Sequence, residues 1–185
     1  MDNIISVKVK DQELKLKTKP GVFAKGGVDA GSLLLMEAVK INDGTLIADL
    51  GSGGGTVGIF CAKLNFQGHV HLLEDHVRSA KLAEENVELN RLKNAEVYLS
   101  DLFSAVANRS YHLIVSNPPQ HLGNEFLEEA VQECLVHLKP GGEVVWVVQK
   151  HVKPLIERLF NKTFGNCKIV THGQEHVVLK AEKHG

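Results

Sequence analysis

Aromatic side chains are scarce in this chain of 185 residues, where Phe, Trp and Tyr together make up 5%. Its three cysteines lie far apart and follow no spacing typical of a metal site or of a disulfide-stapled secreted domain. No apolar run approaches the length needed to cross a membrane, and the first residues lack the pattern of a signal peptide. Scattered thiols are typical of a reducing compartment, so we expect a cytoplasmic protein that does not bind a membrane.

An excess of charge of one sign is also lacking, since the formal net charge is −1. Both ends of the chain are nevertheless basic, and the middle is acidic. Two interpretations stay open. Basic ends could form a rim that binds a polyanion such as RNA. The lysines of "SVKVKDQELKLKTK" also alternate with apolar residues, which is typical of the solvent-exposed face of a β-hairpin.

A metal site is not expected from the ten histidines. His69 and His71 would share one face of a strand, because side chains alternate between the two faces. No cysteine or acidic residue stands at a spacing that would supply a third ligand. We therefore predict that the protein binds no metal.

The order of predicted elements indicates an α/β fold. Residues 4–9 and 13–18 predict a hairpin, and residues 32–40 a helix, with Asp29 or Ser32 as its cap. From residue 45 onwards, buried strands alternate with helices, which predicts a mostly parallel sheet with helices on both faces. Two strands at the end, joined by a glycine turn, make the last strand antiparallel. We expect one domain over residues 1–185, with residues 1–40 packed on its core.

A glycine-rich loop, "DLGSGGGTVG", connects the first central strand to its helix. Gly53, Gly55 and Gly58 match the dinucleotide fingerprint G-x-G-x-x-G, but its first glycine should directly follow the strand, where Gly51 stands. Counted from Gly51, the third required position is Thr56. The pattern that fits is an acid followed by alternating glycines, and an acid at the strand tip suits a ligand with an ammonium group better than a pyrophosphate.

Acidic residues follow two further strands. Glu74 and Asp75 end the strand in "LLED", where a carboxylate can accept hydrogen bonds from both hydroxyls of a ribose. Asp101 follows the next strand, within reach of an adenine amine. With Asp49 they predict a site, at the carboxyl edge of the sheet, for a nucleoside with a cationic tail.

The segment "NPPQHLG", residues 117–123, comes directly after a buried strand. Two adjacent prolines remove two backbone donors and fix two φ angles, so the loop is stiff and rich in acceptors. Such a loop can hold a group that carries N–H bonds. The same residues could instead form a turn with a purely structural role.

Together these motifs resemble the class I S-adenosylmethionine-dependent methyltransferases. "PGVFAKGGVDAGSLLL", "DLGSGGG", "SDLF", "IVSNPP" and "LKPGGE" resemble, in this order, the small-subunit ribosomal RNA guanine-N(2) methyltransferases, and above all their single-domain relatives. The likeness covers nearly the whole chain. It implies a Rossmann-like sheet and S-adenosylmethionine as cofactor.

The resemblance also implies roles for individual residues. Asp49 would hold the amino group of the cofactor directly or through water, Glu74 is favoured over Asp75 as the ribose ligand, and Asn117 with the Pro118 carbonyl would hold the target amine. The remaining cofactor-binding positions would be Gly51, Ser52, Gly53, Gly55, Asp101 and the backbone of Leu102, and Asn117 would also contact the cofactor. Pro119, Gln120 and His121 would face the substrate, with Phe23 covering the pocket.

Three positions depart from the family pattern. Ser52 stands where cysteine or another small residue is usual, which is a harmless change. Gln120 stands where an aromatic or apolar residue is usual, and His112 where aspartate is usual. Gln120 cannot stack on a base, although its amide can bond to a base edge. His121 would contact a phosphate or base edge, or cap the following helix.

The expected function is methyl transfer to an exocyclic amine, guanine N(2) of ribosomal RNA. Two alternatives stay open. One is a methyltransferase for another amine or amide, such as adenine in RNA or a protein glutamine. The other is a non-catalytic, cofactor-binding protein associated with RNA.

Overall fold

The computed structural model describes residues 3–19 and 27–185. Strands β1 (Asn3–Val9) and β2 (Gln12–Thr18) form a two-stranded antiparallel sheet. Seven further strands form the central sheet: β3 (Leu46–Leu50), β4 (His69–Glu74), β5 (Ala95–Leu99), β6 (Tyr111–Ser116), β7 (Leu138–Gln149), β8 (Lys168–His172) and β9 (His176–Glu182). The helices are α1 (Ala30–Ala38), α2 (Thr56–Leu64), α3 (Val77–Leu89), α4 (Asn124–His137) and α5 (Lys153–Phe164).

The central sheet has the strand order β5-β4-β3-β6-β7-β9-β8. Its strands pair in parallel except β9, which runs antiparallel to both β7 and β8. The predicted mostly parallel sheet with an antiparallel last strand is therefore confirmed, as is the N-terminal hairpin. The strand order reverses at β3 and β6, where chain connections leave in opposite directions and a crevice opens at the carboxyl edge.

Helices cover both faces of this sheet, because its central strands are apolar on both sides. One core packs α1, α2 and α3 against the sheet, and the other packs α4 and α5 against the opposite face. Trp146 lies in an apolar strand, which predicts a core position; it has no exposed surface and belongs to the second core. Within the described residues, we find no helix with the length and apolarity that crossing a bilayer requires.

The hairpin packs on α2 and α3 through β2. Asn90 Oδ1 accepts the Lys15 backbone N–H, and Asn86 Oδ1 accepts that of Lys17 at 2.6 Å. Glu85 of α3 forms ion pairs with Lys17 at 2.9 Å and with Lys19 at 2.8 Å. Two of the N-terminal lysines thus contact a helix of the same chain.

Three element boundaries differ from the sequence prediction, which gives helices over residues 32–40 and 152–160 and a strand over residues 142–149. Helix α1 begins at Ala30 because Asp29 is its N-cap and accepts the Ser32 N–H at 2.9 Å. Strand β7 begins at Leu138, since Leu138 pairs with Tyr111 before a register shift. Helix α5 continues to Phe164, where Gly165 ends it in a left-handed conformation, φ 75°.

Candidate cofactor and substrate site

Two neighbouring cavities open at the carboxyl edge of the sheet. The larger cavity has a volume of about 540 Å³ and is lined by the ends of β4, β5 and β6 and by α4. The smaller cavity has a volume of about 170 Å³ and lies over the glycine loop. Gly51 and Asn117 line both cavities, so the two spaces meet at these residues.

The glycine loop turns sharply as it leaves β3. The backbone N–H groups of Gly51 and Ser52 both donate to the Leu73 carbonyl, at 2.8 and 3.0 Å. Gly51 and Gly53 have φ angles of 69° and 54°, and a side chain at either position would point into open space. Glycine is therefore needed at these two positions for the turn itself. The larger cavity reaches this turn at Gly51 and the smaller one at both glycines, so a ligand can approach the backbone closely.

Two later glycines allow close packing between a helix and a strand. A Cβ atom on Gly58 would lie 2.6 Å from Leu72 Cγ, and one on Gly55 would lie 3.1 Å from Leu72 Cδ2. Both glycines therefore let α2 approach β4.

Asp49, the acidic residue of β3, is buried, with 2% of its surface exposed. Its Oδ2 accepts the Gly58 N–H at 2.7 Å, which fixes the carboxyl beside the smaller cavity. Burial and, to a smaller extent, the nearby Glu74 carboxyl raise the pKa of Asp49 to about 7, against the lowering effect of the Gly58 N–H. A cationic group in the smaller cavity would favour its charged form.

Glu74 and Asp75 differ sharply in their surroundings. Glu74 is buried, and its two carboxylate oxygens accept the N–H groups of Gly53 at 2.6 Å and His76 at 2.9 Å. Burial raises the pKa of Glu74, while these two bonds oppose the shift. Asp75 is exposed. Both line the larger cavity, but only Glu74 is held in place by the glycine loop.

Asp101 and Leu102 line the same cavity from the end of β5. Leu102 has a φ angle of 46°, unusual for a residue other than glycine. Ser100 supports this turn, because its hydroxyl donates to the Leu102 carbonyl at 2.8 Å and accepts the Ala105 N–H at 3.1 Å. The structure thus brings the three predicted strand-tip acids, Asp49, Glu74 and Asp101, to one edge.

Asn117 is oriented by two residues of the α1 N-terminus. Its Nδ2 donates to Asp29 Oδ1 at 3.1 Å and to Ser32 Oγ at 3.2 Å. A carboxylate only accepts hydrogen bonds, so the nitrogen must face Asp29 and the amide oxygen must face away. Ser116, the residue before Asn117, is fixed as well, since its hydroxyl donates to the Leu50 carbonyl at 2.6 Å.

The rest of the "NPPQHLG" segment divides into two groups. Pro118, Pro119 and His121 line the larger cavity. The side chain of Gln120 instead accepts the Gln149 N–H at 2.9 Å, at the end of β7. The N-cap of α4 is Gly123, without a side-chain cap, so His121 does not cap that helix. Phe23 lies outside the described residues.

Asp29 and Ser32 are the functional candidates that the sequence reasoning missed, because it gave them only a capping role. Both line the smaller cavity, opposite Asp49. They lie more than 80 residues before Asn117, so nothing in their spacing indicates the contact. Phe126 of α4 also lines the larger cavity and went unnoticed. Its position on the helix predicts only a packing role.

These residues fit an adenosyl cofactor with a cationic amino-acid tail. Ser52 Oγ is buried without a hydrogen-bond partner among the described residues and lies at the smaller cavity, where a polar ligand can satisfy it. Asp29 and Asp49 give the smaller cavity two carboxyl groups for an ammonium. Glu74 and Asp101 give the larger cavity acceptors for ribose hydroxyls and an amine.

Comparisons with known proteins agree with this geometry. A family model described as the methyltransferase small domain matches residues 13–180. The ribosomal RNA small subunit methyltransferase C of Vibrio cholerae is 32% identical over 184 residues, which cover 96% of this chain and 52% of that protein. YbxB of Bacillus subtilis is 30% identical over 184 residues, which cover 96% of this chain and 90% of YbxB.

A solved structure shows the same likeness to a ribosomal RNA methyltransferase. The 16S rRNA N2 methyltransferase of T. thermophilus, in complex with AdoMet and guanosine, superimposes with a TM-score of 0.89 at 30% identity. The match covers 98% of this chain and 50% of that protein. The chain therefore spans about half the length of the ribosomal RNA methyltransferases that it matches. With the family model covering most of its length, the chain belongs to the methyltransferase small domain family.

Proposed function

We propose that the protein is an S-adenosylmethionine-dependent methyltransferase that acts on an exocyclic amine, guanine N(2) of ribosomal RNA. The observation that carries this proposal is the orientation of Asn117. Its amide nitrogen is held by Asp29 and Ser32, and the residue lines both cavities. An amide oxygen fixed at that junction can accept an N–H bond from an amine placed between the two spaces.

The cofactor fits as an extended molecule across both cavities. Its adenosyl part would lie in the larger cavity, with the ribose on Glu74 and the adenine near Asp101 and the Leu102 backbone. Its methionine part would lie over Gly51, Ser52 and Gly53, with the ammonium near Asp49 and Asp29. When bound, it supplies a methyl group on a positively charged sulfur, which an amine nitrogen can accept directly.

The chain's own contribution is to position the acceptor. The lone pair of an exocyclic amine on a base is conjugated with the ring, so the amine is a poor nucleophile. Asn117 Oδ1 and the Pro118 carbonyl would each accept one of its N–H bonds and orient the lone pair. The Pro119 carbonyl already accepts the Leu122 N–H at 3.3 Å, whereas within the described residues the Pro118 carbonyl accepts no such bond. Positioning of this kind can contribute roughly 7–11 kcal/mol in favourable cases.

The substrate proposal rests on the relatives. The Vibrio cholerae and T. thermophilus proteins act on small-subunit ribosomal RNA by their names, and the second was solved with guanosine. A flat base needs a surface to stack on. Because Gln120 is bonded to β7, that surface must come from elsewhere, and we propose Phe23. An RNA substrate also fits the cytoplasmic location that the sequence predicts.

Radiolabelled methyl transfer tests the proposal. The protein is incubated with labelled S-adenosylmethionine and with three acceptors from cells lacking its gene: naked ribosomal RNA, small subunits and soluble protein. Nucleoside analysis should find N(2)-methylguanosine in an RNA fraction. Label in adenosine or in protein would replace the substrate proposal with one of the other acceptors. Cofactor binding without any labelled product would favour a non-catalytic role.

Asn117→Ala is the matched variant in the same assay. Loss of one preorganised polar group typically lowers turnover by about 10²–10³. We expect such a loss with little change in cofactor affinity, whereas Asn124→Ala, at an exposed position of α4, should retain activity. Near-normal turnover in Asn117→Ala would remove this residue from the reaction.

A further inference from the structure

A second group of polar side chains lies at the opposite edge of the sheet, away from the two cavities. His69 and His71 lie on β4, and Glu96 lies on β5 directly opposite His71 in the parallel pairing. One potential ligand atom from each residue lies within 4.8 Å of the other two. The sequence predicts no metal because it offers no third ligand. Glu96 supplies that ligand through strand pairing, which sequence spacing does not reveal.

We propose that His69, His71 and Glu96 form a binding site for a transition-metal ion, with Zn²⁺ as the natural choice. Two imidazoles and one carboxylate suit zinc in number and kind, and water completes such three-ligand sites. Hard ions such as Mg²⁺ prefer oxygen ligands and are disfavoured by the two histidines.

The ligand atoms lie within 4.8 Å of one another and have to move closer together around an ion. Ligands at zinc distances of about 2.0–2.2 Å stand roughly 3.3 Å apart in a tetrahedron. His69 Nε2 and Glu96 Oε2 are 3.8 Å apart already. The side chains of His69 and Glu96 are 39% and 57% exposed, so both can rotate and the ion can enter from solvent.

His71 has the surroundings of a preorganised ligand. It is buried, and its Nδ1 lies 2.9 Å from the Tyr111 hydroxyl, which leaves Nε2 to face a metal. Metal-binding histidines are usually fixed in this way through their second ring nitrogen. The nearby Arg109 charge opposes a cation here, while Glu96 carries the charge that offsets it.

The bound ion would join β4 to β5, the edge strand of the sheet. Because β5 has a strand neighbour on one side only, an ion shared between the two strands would hold this edge in place. The expected consequence is a more stable fold when zinc is present, without a role in the reaction at the other edge.

Zinc binding to the full chain without a histidine tag tests this site. Equilibrium dialysis followed by metal analysis should find one tightly bound ion per chain. His69→Ala, at a half-buried position, and Glu96→Gln, at an exposed one, should each lower the affinity at least tenfold. The matched controls His172→Ala and Glu88→Gln, exposed residues outside the cluster, should bind zinc as the unmodified chain does.

Two further measurements separate this site from adventitious binding to other histidines. Tyr111→Phe keeps the ring but removes the contact to His71, and should lower zinc affinity by about 10–100-fold. Co²⁺ in place of zinc should give the intense visible absorption of a four-coordinate ion. The proposal is overturned if the chain binds no stoichiometric zinc, or if His172→Ala loses as much affinity as His69→Ala.

Discussion

At the scale of single residues, two adjacent carboxyl groups show how the fold selects one of them. Glu74 lies 7% exposed with each oxygen bonded to a backbone N–H, while Asp75 is exposed. A carboxylate held by Gly53 and His76 is already positioned before a ligand arrives, so binding costs it little side-chain entropy. Its remaining lone pairs face the larger cavity.

Cofactor affinity should therefore depend on Glu74 far more than on Asp75. Hydrogen bonds to a charged group contribute about 1.5–3 kcal/mol, so Glu74→Gln should weaken binding by at least about tenfold. Asp75→Asn should change the affinity by less than about threefold. Isothermal titration calorimetry on both variants measures this difference. An equal or larger loss of affinity in Asp75→Asn would show that the assignment of the ribose to Glu74 is wrong.

The raised pKa of Asp49 links cofactor binding to pH. With a pKa of about 7, the carboxyl is mostly protonated below pH 7 in the free protein. An ammonium in the smaller cavity favours the ionised form, so binding at pH 6 must release a proton. Affinity should thus fall as the pH drops below 7, by up to about tenfold per pH unit.

Calorimetry in two buffers with different ionisation enthalpies measures how many protons are released for each cofactor molecule bound. We expect close to one proton per cofactor at pH 6 and fewer at pH 7.5. Asp49→Asn cannot ionise, so its affinity should be lower and independent of pH over this range. Proton release that persists in Asp49→Asn would assign the linkage to another group.

At the scale of helices and strands, the sequence predicts nearly every element, because buried strands and amphipathic helices have different apolar periods. Boundaries are less predictable where tertiary pairing decides them, as at Leu138 in β7. The same holds for the site. Asp49, Glu74 and Asp101 follow predicted strands and are found by position. The contact of Asp29 and Ser32 with Asn117 depends on how α1 packs, which no local pattern encodes.

The sequence does not indicate a function for the hairpin, but Asn86 connects it to the cofactor-binding loop. Besides the Lys17 backbone, the buried Asn86 amide contacts the glycine loop, donating to the Gly54 carbonyl at 2.9 Å. The hairpin, α3 and the cofactor loop therefore share one side chain. Asn90, one turn later, bonds to the Lys15 backbone and not to the glycine loop.

Asn86→Ala and Asn90→Ala form a matched pair for this link. Both remove hydrogen bonds to the hairpin, and each should lower the free energy of unfolding by about 1–3 kcal/mol. Only Asn86→Ala should also weaken cofactor binding, by about tenfold, since only this variant loses the hydrogen bond to the Gly54 carbonyl. Denaturant unfolding and calorimetry measure the two quantities separately. Equal cofactor affinity in the two variants would show that the glycine loop keeps its shape without Asn86.

At the scale of the whole molecule, the cofactor site lies at the centre of the sheet rather than on an appended element. Asp49 is the second-last residue of β3, the strand between β4 and β6, and Asn117 directly follows β6. Helices from both faces contribute lining residues, Ser32 of α1 on one side and Phe126 of α4 on the other. A ligand bound there contacts both cores, so its binding energy should stabilise the fold as a unit.

Thermal unfolding tests this expectation together with the prediction of one domain over residues 1–185. Cofactor at 100 times its dissociation constant contributes about 2.7 kcal/mol of stability. For a chain of this size, that corresponds to a rise in Tm of about 5–10 °C. Calorimetry should record one cooperative transition that shifts as a whole, and Glu74→Gln should show a smaller shift at the same cofactor concentration. A separate early transition that cofactor does not move would mean that part of the chain, such as the hairpin, unfolds independently of the sheet.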